Sequence, residues 1–317
     1  MYKIEFIKNV LKYKIIVLFI VLAVKPCFAQ KRLVSITVDD LIATPADLFE
    51  YEYINEKNLE ILKENNIEAI GFVNEIRLYT NSEPDTAKIK ILQKWIEAGM
   101  KLGNHTFSHL FINNTSIEDY KKDVIKGELI TRPLLKQYGK ELEFFRHTQL
   151  RTGPTEEYRL ELNEFLSNRG YKIAPVTIDN DEYIYAYCYT KAKEGGDLGL
   201  MKKIGKDYLT YMESIFEFYE NLSLGFLGYE VPQILLLHAN NLNADYLDDL
   251  VKIMNHRGYN FISIEEALKD NAYKLPEGTH PRGLSWLQRW MIMGGLQPDS
   301  QPEVSDFIQE LYRGYRG

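Results

Sequence analysis

Short aliphatic runs alternate with helix-period stripes over most of this chain, and that alternation limits the fold more than any other feature. Leu33 to Val38 reads as a strand, followed by a helical segment around Ile54 to Asn65 and a second strand, Ile67 to Val73. Ile89, Leu92 and Ile96 form a helical stripe that stops at Gly99, a residue suited to a helix C-terminus. Lys101 to Gly103 is a third strand. Ser116, with Asp119 three residues on, opens a helix towards Tyr138 that Pro133 should kink or split. Glu143 to Phe145 and Tyr171 to Ile178 are further strands, the latter with a bulge or edge at Pro175. A long helix follows over about Leu198 to Leu222. Ile234 to Leu237 is a fully apolar strand, Asn243 caps a helix, and Phe261 to Ile264 is a last strand. Strands separated by helices pair in parallel, so the expected fold is α/β, a distorted (β/α) barrel with about seven parallel strands.

The polar residues of chemical interest fall where these strands end. Asp39 and Asp40 end the first, His105 and His109 follow the third, Arg146 follows the fourth, Asp179 the fifth and His238 the sixth. In a parallel barrel all these ends meet at one face, where active sites are built. Two histidines four residues apart plus a remote acidic pair supply a mononuclear ligand set with an open position for water. A second carboxylate beside the ligating one is what a hydrolase needs to take a proton from that water. His147 beside Arg146 is read as structural, and His256 and His280 are given no chemistry.

Composition is that of a globular protein, with 317 residues, 45% hydrophobic and 26% charged. The net charge of −7 and the absence of a basic stripe argue against nucleic acid as a partner. Residues 1–29 read as a secretory signal peptide: Lys3, Lys8, Lys12 and Lys14 precede the apolar run Ile15 to Val24, and Cys27-Phe28-Ala29 offers a cleavage site. Ten apolar residues are too few to span a bilayer. The expectation is a secreted or periplasmic protein with no stable membrane span after cleavage; a retained N-terminal anchor is the alternative. Cleavage leaves Cys188 alone, which excludes an internal disulfide and a cysteine metal set. The oligomeric state is not legible.

These motifs together resemble the polysaccharide deacetylase family, the NodB-homology domain of carbohydrate esterase family 4, over about Lys31 to Lys269. Thr37-Val38-Asp39-Asp40 resembles the family's first motif, usually Thr-Phe-Asp-Asp, which implies Asp39 as catalytic base and Asp40 as metal ligand. His105-Thr106-Phe107-Ser108-His109 matches its His-Ser/Thr-x-x-His motif, implying that both histidines bind metal. Leu236-Leu237-His238 resembles the closing Leu-x-His motif and implies His238 as catalytic acid. Arg146 is then expected to orient Asp39, and Asp179 or Glu182 to keep His238 charged. Tyr183 and Leu236 are expected to contact substrate.

Two motifs depart from the family. The third, usually Arg-x-Pro-x-Gly-like, reads Arg146 to Gly153 here, longer and without its prolines. The fourth, usually Asp-x-x-Asp-Trp, reads Asp179-Asn180-Asp181-Glu182-Tyr183, and residues 182–231 look like an insertion. The resemblance implies a catalytic domain over 30–270 with a C-terminal extension over 271–317. It implies one divalent metal ion, zinc first and cobalt, manganese, nickel or iron(II) after it. The substrate it implies is an acetylated carbohydrate, de-N-acetylated as in N-acetylglucosamine polymers. An O-acetyl glycan esterase and a non-catalytic glycan-binding relative are the alternatives.

Overall fold

The computed structural model describes residues 31–43 and 48–316, so the expected signal peptide lies outside the described residues. From Arg32 onward the chain forms one compact unit. Its centre is β1 (Arg32–Leu41), flanked in parallel on one side by β2 (Ile70–Val73), while β3 (Tyr79–Thr80) and β4 (Glu83–Pro84) form a separate antiparallel hairpin. β5 (Lys101–Asn104) pairs with β2, β6 (Phe144–Phe145) with β5, and β7 (Lys172–Ile173) with β6. On the other side of β1 lies β8 (Gln233–His238), and β9 (Tyr259–Phe261) pairs with the start of β1. The seven-stranded sheet is parallel throughout, as the alternation of strands and helices requires.

The barrel is closed by the segment expected as one strand over Tyr171 to Ile178. Before Pro175 it hydrogen-bonds to β6, with Ala174 N–H donating to Phe145 at 2.8 Å. After Pro175 it turns to β8: Thr177 and Ile178 N–H reach the Ile234 carbonyl at 3.0 and 3.1 Å, and Leu236 N–H returns to Ile178. Proline cannot continue a ladder, so the strand breaks there and its two halves bind opposite edges of the sheet.

Side chains alternate across each strand, which separates two apolar clusters. Ile70, Phe72, Phe144, Ala174 and Ile234 gather inside the barrel, closed at one end by Ile264 and Ala267. Gly103 makes room for this cluster, since a Cβ there would lie 2.4 Å from the Phe72 ring. The larger cluster packs the outer strand faces against the helices, including α1 (Leu48–Glu64), α2 (Thr86–Glu97) and α3 (Ile117–Lys126).

Several boundaries differ from the sequence expectation. The helix begun by Ser116 ends at Gly127 and a second, α4 (Thr131–Gln137), begins after a turn. The break precedes Pro133, which sits in the first turn of α4 where its missing N–H is harmless. α5 (Glu156–Asn168) follows. Residues 182–231 form two helices, α6 (Glu182–Glu194) and α7 (Leu198–Leu227). The cap of α8 (Asn241–His256) is Asn240, whose side chain accepts from Asn243 N–H; Asn243 is the capped residue rather than the cap. The last strand stops at Phe261, because Ser263 caps a short helix, α9 (Ile264–Ala267). In the C-terminal extension α10 (Trp286–Met293) and α11 (Asp306–Arg316) pack on the same unit, α11 against α6. No helix among the described residues is long and apolar enough to cross a membrane.

Candidate active site and metal centre

Adjacent residues of a strand point to opposite faces, yet Asp39 and Asp40 both face the mouth of the barrel. The backbone does this: the β1–β2 register shifts between Val38 and Leu41, and Asp40 adopts a left-handed conformation with φ +62°. Aspartate tolerates that conformation better than most side chains. Asp39 pairs directly with His238 in the β1–β8 ladder, so base and acid candidates stand side by side.

The histidine loop is held from three sides. His105 N–H donates to Val73 at 3.0 Å, Asn104 Oδ1 accepts from Thr106 N–H at 2.7 Å, and Thr106 Oγ1 accepts from His109 N–H at 3.0 Å. Asp123 of α3 accepts from the Ser108 N–H and hydroxyl, both at 2.9 Å. Thr106 and His109 both take positive φ, which folds the loop back and brings the imidazoles together with ring centres 5.0 Å apart.

Asp40, His105 and His109 form the one cluster among the described residues whose donor atoms could hold a metal ion. Each histidine Nε2 lies 3.7 Å from Asp40 Oδ1. Ligands about 2 Å from a tetrahedral ion stand roughly 3.3 Å from one another, so the two Asp40–histidine separations need only a slight contraction. Two further observations fit a cation. Asp40 Oδ1 is buried and has no hydrogen-bond partner. His105 Nδ1 lies 2.9 Å from the Arg146 carbonyl; a carbonyl only accepts, so Nδ1 carries the proton and the Nε2 lone pair faces the cluster. Burial pushes both imidazoles down to about 4, leaving them neutral as ligands must be. Burial works against the Asp40 carboxylate as well, but Arg77 at 3.3 Å and the two histidines hold it far below the usual carboxylate range.

Asp39 lies deeper. Burial raises its pKa, opposed by Arg146 and His238. Arg146 is fully buried, with Nη1 3.5 Å from Asp39, Nη2 donating to Thr37 Oγ1 at 2.9 Å, and its guanidinium 4.6 Å from the Phe72 ring centre. Glu182, fully buried at the start of α6, accepts from His238 N–H at 3.2 Å and lies 3.6 Å from His238 Nδ1. Burial alone would lower His238, but Glu182, Asp40 and Asp39 push it up to about 9. Of the two carboxylates expected beside His238, Glu182 makes the ion pair. Burial pushes Asp179 up to about 7, against the Asn180 N–H, and it lines the cleft without pairing with the histidine. His147 is buried edge-on to Phe145 with both ring nitrogens unpartnered, outside the metal cluster.

A cleft of about 850 Å³ opens over these groups. One wall is a face of α6, with Tyr183, Tyr187, Lys191 and Glu194 recurring at helical spacing; Leu236 forms part of the floor. Four contributors were not legible as motifs. Arg77 pairs with Asp40, and Asp123 anchors the histidine loop. Asn180 ties the start of α6 to β8, donating to Leu236 at 2.8 Å and accepting from Glu182 N–H at 3.0 Å. The Gln149 amide lies 2.8 Å from His109 Nδ1.

Residues 29–168 match the family model for polysaccharide deacetylase. This segment, a little under half of the chain, is similar to the polysaccharide deacetylase family. The matched deacetylase segment carries Asp39, Asp40, His105, His109 and Arg146; Glu182 and His238 join the site through the fold. Similar solved structures include a chitin deacetylase from the fungal pathogen Colletotrichum lindemuthianum, 20% identical over 76% of this chain and 89% of that one, with a TM-score of 0.49. A peptidoglycan deacetylase from Bacillus subtilis is 17% identical over 77% and 95%, with a TM-score of 0.46. A CE4 family pseudoenzyme from Bacillus anthracis is 15% identical over 75% and 66%, with a TM-score of 0.47. No curated protein matches the sequence significantly.

His105 Nε2 lies 3.7 Å from both Asp39 and Asp40, but only Asp40 is also grouped with His109. Asp40→Asn is expected to weaken zinc binding severely, whereas Asp39→Asn retains it. Gln149→Ala is expected to cost 10–100-fold in affinity, the usual effect of losing a partner that orients a ligating histidine. Zinc titration of the three variants checks this. Full affinity in Asp40→Asn would remove it from the ligand set.

Proposed function

We propose that this protein is an exported, metal-dependent deacetylase that removes N-acetyl groups from a polysaccharide or oligosaccharide. The single observation that carries the reading is the Asp39–His238 pair in register beside the Asp40, His105 and His109 cluster. One carboxylate is left to act as base and one charged imidazole as acid, side by side at the mouth of the barrel.

Asp40, His105 and His109 would hold the ion, zinc by donor type, which when bound supplies Lewis-acid polarisation of the acetyl carbonyl and acidification of a water. Asp39 accepts the proton of the attacking water. Its raised pKa makes it a stronger base than an ordinary aspartate, and Arg146 keeps it oriented and ionised. As the C–N bond breaks, His238 donates its proton to the departing nitrogen. An amine is a poor leaving group and needs this acid more than an alcohol does, so a histidine held protonated favours amide over ester chemistry. Glu182 acts through His238 and is a positioning residue. The cleft volume lies in the upper part of the ~300–1,000 Å³ range of small-ligand pockets. That leaves room for sugar rings as well as the acetyl group, with Tyr183 presenting an exposed ring to them.

Acetate release from chitotetraose by the zinc-loaded protein tests the reading. Asp39→Asn is expected to lower turnover by roughly 10²–10⁴-fold while keeping metal. The proton on His238 is lost as pH rises through about 9, so activity should fall above that pH. Glu182→Gln removes the carboxylate that raises the histidine and should move this alkaline limb to lower pH. No release from chitotetraose, with release from acetylated xylan, would identify an O-acetyl esterase. No release from either would identify a non-catalytic relative.

Export rests on the N-terminal pattern. The N-terminal mass of the protein from its native host should correspond to cleavage after Ala29; an intact Met1 in a cytoplasmic fraction would contradict it.

A further inference from the structure

We propose that the cleft carries an anion subsite, built by Arg151 and Arg282, and that the glycan it accepts bears a carboxylate on a sugar ring near the acetylated unit, as a uronic acid does. The proposal rests on the deacetylase reading and names the substrate class of that same site.

The starting point is which charges are left unpaired. Every other arginine among the described residues has a polar partner for its guanidinium: Arg77 with Asp40, Arg159 with Glu156 and Glu277, and Arg257 with Glu220 are examples. Even the buried Arg289 is satisfied, by the carbonyls of Leu150, Gly278 and Leu284. Half-buried Arg151 and exposed Arg282 have none, and both line the cleft that contains the Asp40, His105 and His109 cluster. In a chain of net charge −7, two uncompensated cations in one cleft wall are the exception.

The setting of Arg151 suits a planar anion. Its guanidinium centre lies 4.7 Å from the centre of the Phe111 ring, so one flat face is covered by an aromatic surface. Its Nε is buried and has no hydrogen-bond partner. Burial lowers its pKa, and no carboxylate acts in the other direction. Glu277, the carboxylate beside Arg159, is engaged by that arginine and by Trp286 Nε1. A guanidinium presents parallel N–H donors along its edge, which match the two oxygens of a carboxylate.

The two arginines belong to segments pressed against one another. Gly283, beside Arg282, sits so close to Gln149 that a Cβ there would lie 2.0 Å from the Gln149 carbonyl oxygen. Gln149 in turn touches the ligand candidate His109. The subsite therefore adjoins the loop that brings Gln149 to His109, within the same cleft as the metal cluster.

The test compares two N-acetylated tetrasaccharides, hyaluronan tetrasaccharide, which carries glucuronate, and neutral chitotetraose. Dissociation constants are measured by calorimetry on the EDTA-treated full chain, so that no turnover intervenes. The acidic sugar is expected to bind about tenfold tighter at low ionic strength, the scale of one charge-assisted contact in a partly open site. The preference should shrink with added salt. In Arg151→Gln/Arg282→Gln the ratio of the two constants should fall to about one, and in Arg151→Lys/Arg282→Lys part of it should return. Equal constants in the unaltered protein, or a preference that survives the glutamine pair, would overturn the subsite. Acetate release from either tetrasaccharide by zinc-loaded protein reads the deacetylase function separately. Release without acidic preference removes the subsite alone; preference without release keeps the subsite and removes the hydrolytic reading.

Discussion

One buried guanidinium ties the barrel to its chemistry. Arg146 emerges at the end of β6 with no solvent exposure, its side chain stacked on Phe72 of the interior cluster and donating to Thr37 of the central strand. Its charge is compensated by Asp39, and its own carbonyl fixes the tautomer of His105. Burying such a charge is costly unless it is paired, and removing either partner strands the other, typically at 3–5 kcal/mol. Asp39, His105 and the barrel core are thus set by a single residue whose position cannot drift without exposing an uncompensated charge.

How much of this is legible in the sequence depends on whether the cause is local. The strands announce themselves because both faces are buried, which demands continuous aliphatic runs such as Ile234 to Leu237. Asp39, Asp40, His105, His109 and His238 are visible because they end those runs. Arg77 and Gln149 are not, since each reaches the site from a connection with no periodicity and meets its partner across the fold. The choice of Glu182 over Asp179 beside His238 has the same origin. It depends on α6 starting at Glu182, where Asn180 fixes the first turn to β8, and two acidic residues three apart give no hint of that.

The departure of the third motif from the deacetylase pattern also finds a physical account. Without prolines, the loop from His147 to Gly153 places Gln149 and Leu150 consecutively in the left-handed region, at φ +48° and +52°. Such residues cost roughly 1–2 kcal/mol each. The C-terminal extension holds them there: Arg289 is buried against the Leu150 carbonyl, and Gly283 admits the Gln149 carbonyl at a distance no side chain would allow. A segment that reads as a tail in the sequence thereby forms part of the wall of the cleft. The loop it fixes presents Gln149 to His109.

The central claim is that two adjacent carboxylates do different work because the backbone turns left-handed between them. Anomalous diffraction at the zinc edge from zinc-soaked crystals tests it most directly. The account predicts one peak, about 2 Å from Asp40 Oδ1 and from Nε2 of both His105 and His109, with Asp39 outside bonding distance. A peak bonded to Asp39, or one that leaves Asp40 unbound, would contradict it.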